Sequence, residues 1–211
     1  MIRYQVDMDD LREIEQYLGM TRDKSKIVLR GAINDTAKDS MKLLLNETSK
    51  RYVLRRSVLK KSMGLSKATT SNLSAVIAVV SPTTELYDSK VSPKKYVHPL
   101  DFEHKPSHYK GKVLRQSSMS KLILRPGTAR DKYKAFVVKF KAGDKEHITI
   151  GQRVPGKKMK SKPHKEFVKK LLAPSVPTMM GNEQGVYGVV EPQMYDLLSK
   201  HIARRIERHL G

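Results

Sequence analysis

Residues Ala135 to Val154 constrain the fold of this chain most strongly, because their apolar side chains recur with a period of two, which a strand can bury on one face and a helix cannot. Phe136, Val138 and Phe140 alternate with Val137 and Lys139, and after Ala142-Gly143-Asp144 the β-branched run Ile148-Thr149-Ile150 keeps the same period. The pattern predicts a β-hairpin. Segments of helical period lie before and after it, so the expected class is α+β: a long N-terminal helix and a C-terminal helix packed on a small antiparallel sheet built around the hairpin. A chain of 211 residues folded this way buries about 70% of its unfolded surface. One domain over 1–211 is expected, with a basic, Pro-rich insert at about 82–112 and a basic loop at about 155–165.

The strongest helical segment starts at a cap, Thr21 or Asp23, and runs to about Ser49, with Leu29, Ile33, Ala37, Met41 and Leu44 on one stripe. A shorter helix is expected from Met8 to Leu18, and a turn or two from Tyr52 to Met63. Ser66 to Ser71 is too rich in hydroxyls for a helix interior and reads as loop. Leu73 to Val80 reads as a strand ended by Ser81-Pro82. Pro82, Pro93, Pro99 and Pro106 exclude a regular helix in the insert. Val113-Leu114-Arg115 and Lys121 to Leu124 could each be a short strand, and Phe167 to Leu172 a short strand or turn. Pro174-Ser175-Val176-Pro177 predicts an extended connector. A last helix should open at Glu191-Pro192 and carry Met194, Leu198, Ile202, Ile206 and Leu210 on one stripe.

Charge narrows the partners. The chain holds 42 Lys and Arg against 21 Asp and Glu, a formal +21. Asp88 to Lys170 holds 23 basic and 7 acidic side chains, so this middle supplies +16. Such an excess suits a polyanionic neighbour, since each cation set against a phosphate backbone releases counterions. Trp is absent and only 6% of residues are aromatic, which points to electrostatic contact rather than base reading. There is no cysteine, which excludes disulfides and thiolate chemistry. No run reaches the ~20 apolar residues of a membrane span, and the first residues lack the apolar core of a signal peptide, so a soluble protein not secreted by that route is expected.

Specific chemistry finds little support. Gly151-Gln152-Arg153-Val154-Pro155-Gly156-Lys157 matches the first seven positions of a P-loop, but the eighth is Lys158 where a magnesium-binding hydroxyl belongs. The Lys-rich sequence beyond it runs into Pro163, so no helix N-terminus follows to receive phosphates. The glycines read as a hairpin exit turn. His98, His104 and His108 lie near Asp101 and Glu103, but Pro99 and Pro106 deny them a helical ligand face, and no metal or cofactor is expected. No Gly-x-Ser-x-Gly elbow and no acid–His–Ser set stands out, so no catalytic residue is assigned and an enzyme is not expected.

In order along the chain stand Arg30-Gly31-Ala32-Ile33-Asn34-Asp35-Thr36-Ala37, Leu54-Arg55-Arg56, Ser66-Lys67-Ala68-Thr69, Ala135-Phe136, a strand ending at Arg153, Pro174-Ser175-Val176-Pro177 and a basic C-terminal helix. Together they resemble the minor tail protein Z family of long-tailed bacteriophages and prophages, the tail completion proteins. The resemblance implies a structural virion protein of the tail and neck, present in the host cytoplasm during assembly. It implies a self-assembled ring, a hexamer, at the head-proximal end of the tail. Tail terminator, tail tube or head-connector proteins would be its neighbours, with double-stranded DNA passing through the channel. Lys157, Lys158, Lys160 and Lys162 are then the residues best placed to meet DNA or an acidic neighbouring ring. The alternative from charge alone is a non-specific nucleic-acid-binding protein.

Overall fold

A computed structural model describes residues 2–5, 12, 15–16, 22–98, 100–123, 134–142 and 144–210. The fold is α+β. One domain was expected, but the contacts resolve two compact units, each discontinuous in sequence. The first takes 1–51, 56–81 and 176–211, and the second takes 52–55 and 82–175.

In the first unit, β1 (Ile2–Gln5), β2 (Met63–Ser66) and β3 (Ser74–Val79) form an antiparallel sheet in the order β1-β3-β2. Helix α1 (Arg22–Arg51) packs on β3. Its predicted stripe is largely the buried one: Leu29, Ile33, Ala37 and Leu44 are at most 1% exposed, with Met41 half-buried. Small buried residues interleave with them, Ser25, Ala32, Thr36 and Ser40, and they let neighbouring backbone come close. Asp23 in the first turn and Lys50 and Arg51 in the last complement the helix dipole. The expected hydroxyl-rich loop is present and is clamped to the helix: Asn34 Nδ2 donates to the Ala68 carbonyl at 3.1 Å, and the Ala68 N–H donates to Asn34 Oδ1 at 2.8 Å.

Two short helices, α2 (Arg56–Lys61) and α3 (Val176–Met180), precede the long α4 (Tyr187–Leu210). The last helix begins a turn earlier than its proline suggested. The Asn182 carbonyl accepts the N–H groups of Gly185, Val186 and Tyr187, which caps the chain before Glu191 and leaves Pro192 inside the helix. Helix α4 packs along α1, fixed by Arg205, whose Nη2 and Nε donate to Asp35 Oδ2 at 2.6 and 3.1 Å. Burial raises the Asp35 carboxyl and the Arg205 guanidinium lowers it by more, leaving it below its ordinary value. The guanidinium lies across Gly31, where any Cβ would collide with it. His201 adds a contact from Nε2 to Asp39 Oδ2 at 3.2 Å. On the predicted stripe Met194 is buried and Leu198, Ile202 and Ile206 are partly so. The expected helix from Met8 to Leu18 lies mostly outside the described residues; Arg12, Glu15 and Gln16 are helical.

The second unit grows from the predicted hairpin. Strand β8 (Ala135–Ala142) pairs with β9 (Lys145–Met159) in register from Ala135↔Gln152 to Ala142↔Lys145, and β10 (Lys162–Lys170) takes the other edge of β9. The hairpin was expected to be the wall for the helices. It instead carries a core of its own: Ala135, Val137 and Ile150 pack with Leu86, Val91 and Tyr109. The last three come from the insert, which is ordered as β4 (Thr84–Glu85), a 3-10 turn at Leu86–Asp88, β5 (Lys90–Ser92) and β6 (Lys110–Lys112). Strand β7 (Ser120–Lys121) joins β5 and β6, and β11 (Leu172–Ala173) pairs with β4. The segment 52–55 is stitched in by the Val53 N–H donating to the Val113 carbonyl at 2.7 Å and by Arg55 with Asp88 at 2.8 Å.

Candidate basic interface

Dividing the sequence by unit separates its charge. The second unit holds 24 basic and 8 acidic side chains, a net +16, and the first holds 18 and 13, a net +5. Three quarters of the excess therefore sits on the unit built around the hairpin.

Within that unit β9 changes character along its length. Its first half is anchored: Thr149, Ile150, Gly151 and Gln152 are buried, and at Gly151 a Cβ would come within 2.7 Å of Val168 Cγ1 on β10. From Arg153 to Lys165 no residue is buried, and six basic side chains meet no acidic one. Lys157, Lys158, Lys160 and Lys162 are all exposed on this stretch. A flexible loop was expected at about 155–165. The chain instead stays extended through Met159, turns at Lys160-Ser161 and returns as β10, with register shifts along the arm. Backbone ladder bonds hold this arm, so it needs no apolar face of its own. Gly156 takes φ +72°, a left-handed conformation that suits glycine. Lys157 Nζ sits 4.6 Å from the centroid of the Phe167 ring, a cation–π contact that orients one of the four lysines.

The P-loop-like heptad lies inside β9 and opens no helix, so the exit turn expected there is also corrected to continuous strand. In Pro174-Ser175-Val176-Pro177, Val176 is fully buried and starts α3. The extended connector is thus shorter than expected, and Pro177 falls in the first turn of a helix, where its missing N–H costs nothing. These four residues carry the chain from the second unit into the first. Among the described residues no group of three or more His, Asp or Glu could hold a metal ion. His104 Nδ1 instead meets Asp101 Oδ1 at 2.9 Å. No helix among the described residues is long and apolar enough to cross a membrane.

Sequence reasoning missed the cluster that ties β4 to the hairpin. Glu85 lies 2.7 Å from Lys170 Nζ and 3.0 Å from His147 Nε2, and Lys170 also rests over the Phe140 ring. Burial raises the Glu85 carboxyl, and hydrogen bonds led by the Lys170 ammonium outweigh it, leaving its pKa lowered. A lowered folded pKa contributes stability that is present above the ordinary glutamate value and is lost as pH falls through the folded one. Glu85→Gln should therefore destabilise the second unit by about 1–2 kcal/mol at pH 7, and the gap to wild type should close in the acid limb. Urea midpoints at pH 7 and pH 3 measure this; an equal gap at both pH values would refute it.

Neither family models, curated proteins nor solved structures match this chain.

Proposed function

We propose that the chain is a structural subunit of a phage tail, a tail completion protein that forms a ring at the head-proximal end and supports head–tail joining. One observation carries the proposal: the exposed half of the β9–β10 hairpin presents six cations and no carboxylate, on a unit of net +16. In a ring each subunit would offer one such arm to DNA in the channel or to an acidic neighbouring ring. The arm is built to present charge, since its base is anchored in a core and its tip buries nothing. The sequence resemblance supplies the virion context, with tail terminator, tail tube and head-connector proteins as neighbours. The first unit supplies a surface for self-association, a groove of about 430 Å³ between α1 and α4 with Leu43 and Leu197 among Asp39, Lys42, Asp196 and Lys200. Paired charges of both signs around an apolar centre suit contact with a second copy.

The same charge favours a second reading, a monomeric non-specific nucleic-acid-binding protein. Multi-angle light scattering with negative-stain microscopy separates the two. Rings of about six subunits with weak duplex binding are expected. A chain that stays monomeric at every concentration, and binds duplex DNA with a steep salt dependence, would overturn the ring in favour of the second reading.

A further inference from the structure

The second unit contains a cleft of about 390 Å³ where the ordered insert faces β8 and β9, within the size range of small-ligand sites. Its walls are Tyr96 from the insert and Phe136 from β8, and Val137 forms part of the floor. Lys105, Lys139 and Arg153 stand on its rim, and no aspartate or glutamate lines it among the described residues. The chain has only 9 Tyr and 4 Phe, so two aromatic walls in one basic cleft are a concentration that composition does not suggest.

We infer that this cleft binds one unpaired nucleotide of a single-stranded nucleic acid, with the base between Tyr96 and Phe136 and the flanking phosphates on Lys105 and Arg153. Three features select that ligand. Aromatic walls over an apolar floor suit a flat base, and base stacking on aromatics is indifferent to sequence. The Arg153 guanidinium lies 5.5 Å from the Phe136 ring centroid, so the contact that orients this cation also fixes it beside the base, with N–H groups left for a phosphate. Lys139 is bridged to Glu146 at 2.6 Å, which leaves Lys105 and Arg153 as the rim cations that answer the ligand. A duplex hides its base faces and cannot enter a concave site of this size. An acidic peptide would use the rim but gain nothing from the aromatic walls. The inference rests on the second unit alone and holds whether or not the chain assembles into rings.

The test uses the full chain and fluorescence anisotropy with labelled five-nucleotide strands: oligothymidylate, oligouridylate, and an abasic strand of equal length and charge. Oligothymidylate is expected to bind at least tenfold more tightly than the abasic strand. Lys105→Glu with Arg153→Glu should weaken oligothymidylate at least tenfold, and Tyr96→Ala should bring it to the abasic level. Serine at Lys157, Lys158, Lys160 and Lys162 should change it less than threefold. Lys105 and Arg153 are exposed, so the double variant keeps its fold, checked by circular dichroism. Oligouridylate binding as tightly as oligothymidylate assigns the site to either nucleic acid; a preference of tenfold or more assigns it to the preferred one. Equal binding of the abasic strand, wild-type affinity in the double variant, or equal competition by a polyglutamate peptide would each overturn the inference. None of these outcomes depends on ring assembly, which light scattering reports separately.

Discussion

Replacing Lys157, Lys158, Lys160 and Lys162 together by serine is expected to abolish most of the chain's attraction for duplex DNA and, in the assembled particle, to block head–tail joining. The four lysines lie on an exposed stretch that contains no acidic side chain, so each can meet a phosphate without first breaking an ion pair. Each phosphate contact contributes about 0.9 to the slope of log affinity against log salt, so four of them account for roughly 3.6. That corresponds to a loss on the order of 10²–10³-fold near 0.15 M salt. The fold should be untouched, because the substituted side chains bury nothing and the strand pairing is made by backbone. Two measurements check this: the salt dependence of duplex affinity for the isolated protein, and the fraction of free heads and free tails seen by electron microscopy in lysates carrying the variant. An unchanged salt slope would remove the arm from DNA contact. Wild-type joining and infectivity would remove it from tail completion altogether.

The four lysines were legible in the sequence and their setting was not. Charge density picks out 155–165 without any structure, but Pro155, Gly156, Pro163 and the run of lysines erase the apolar alternation by which a strand is recognised. A hairpin held only by its ladder leaves no hydrophobic trace. The insert failed to register for a different reason. Its core residues Leu86, Val91 and Tyr109 stand singly in a 3-10 turn or beside strands of two or three residues, shorter than any window that reveals a period. By contrast α1 and β3 were readable because each buries one continuous face over its whole length. The division into two units left no mark, since the chain passes between them at 51/52, 55/56, 81/82 and 175/176, and no linker-like composition accompanies those crossings. The basic cleft was equally hidden: Tyr96, Phe136 and Arg153 are far apart in sequence, and only the pairing of β8 with β9 and the packing of the insert bring them together.

That division leads to the second large effect. Ile150→Ala should unfold the second unit at a much lower temperature while leaving the first nearly unchanged, and Ile33→Ala should do the reverse. Both side chains are fully buried, and truncating a buried isoleucine to alanine costs about 2–5 kcal/mol, more where the surroundings cannot close over the cavity. Ile150 sits opposite Val137 in the β8–β9 register and packs with residues from the insert, so little around it is free to collapse. For a unit of this size each kcal/mol lowers the midpoint by about 4–8 °C, which puts the affected transition roughly 10–30 °C below wild type. Scanning calorimetry should show two transitions in the wild-type chain and the selective fall of one in each variant. Hydrogen exchange should assign the early loss of protection to β8, β9 and β5 in Ile150→Ala, and to α1 and α4 in Ile33→Ala. The arm depends on this anchor, because β9 runs without a break from Ile150 to the lysines. Above the lowered midpoint Ile150→Ala should therefore lose duplex binding as the lysine variant does, with all four lysines still present. A single transition that falls equally in both variants would mean that the two units unfold as one cooperative block.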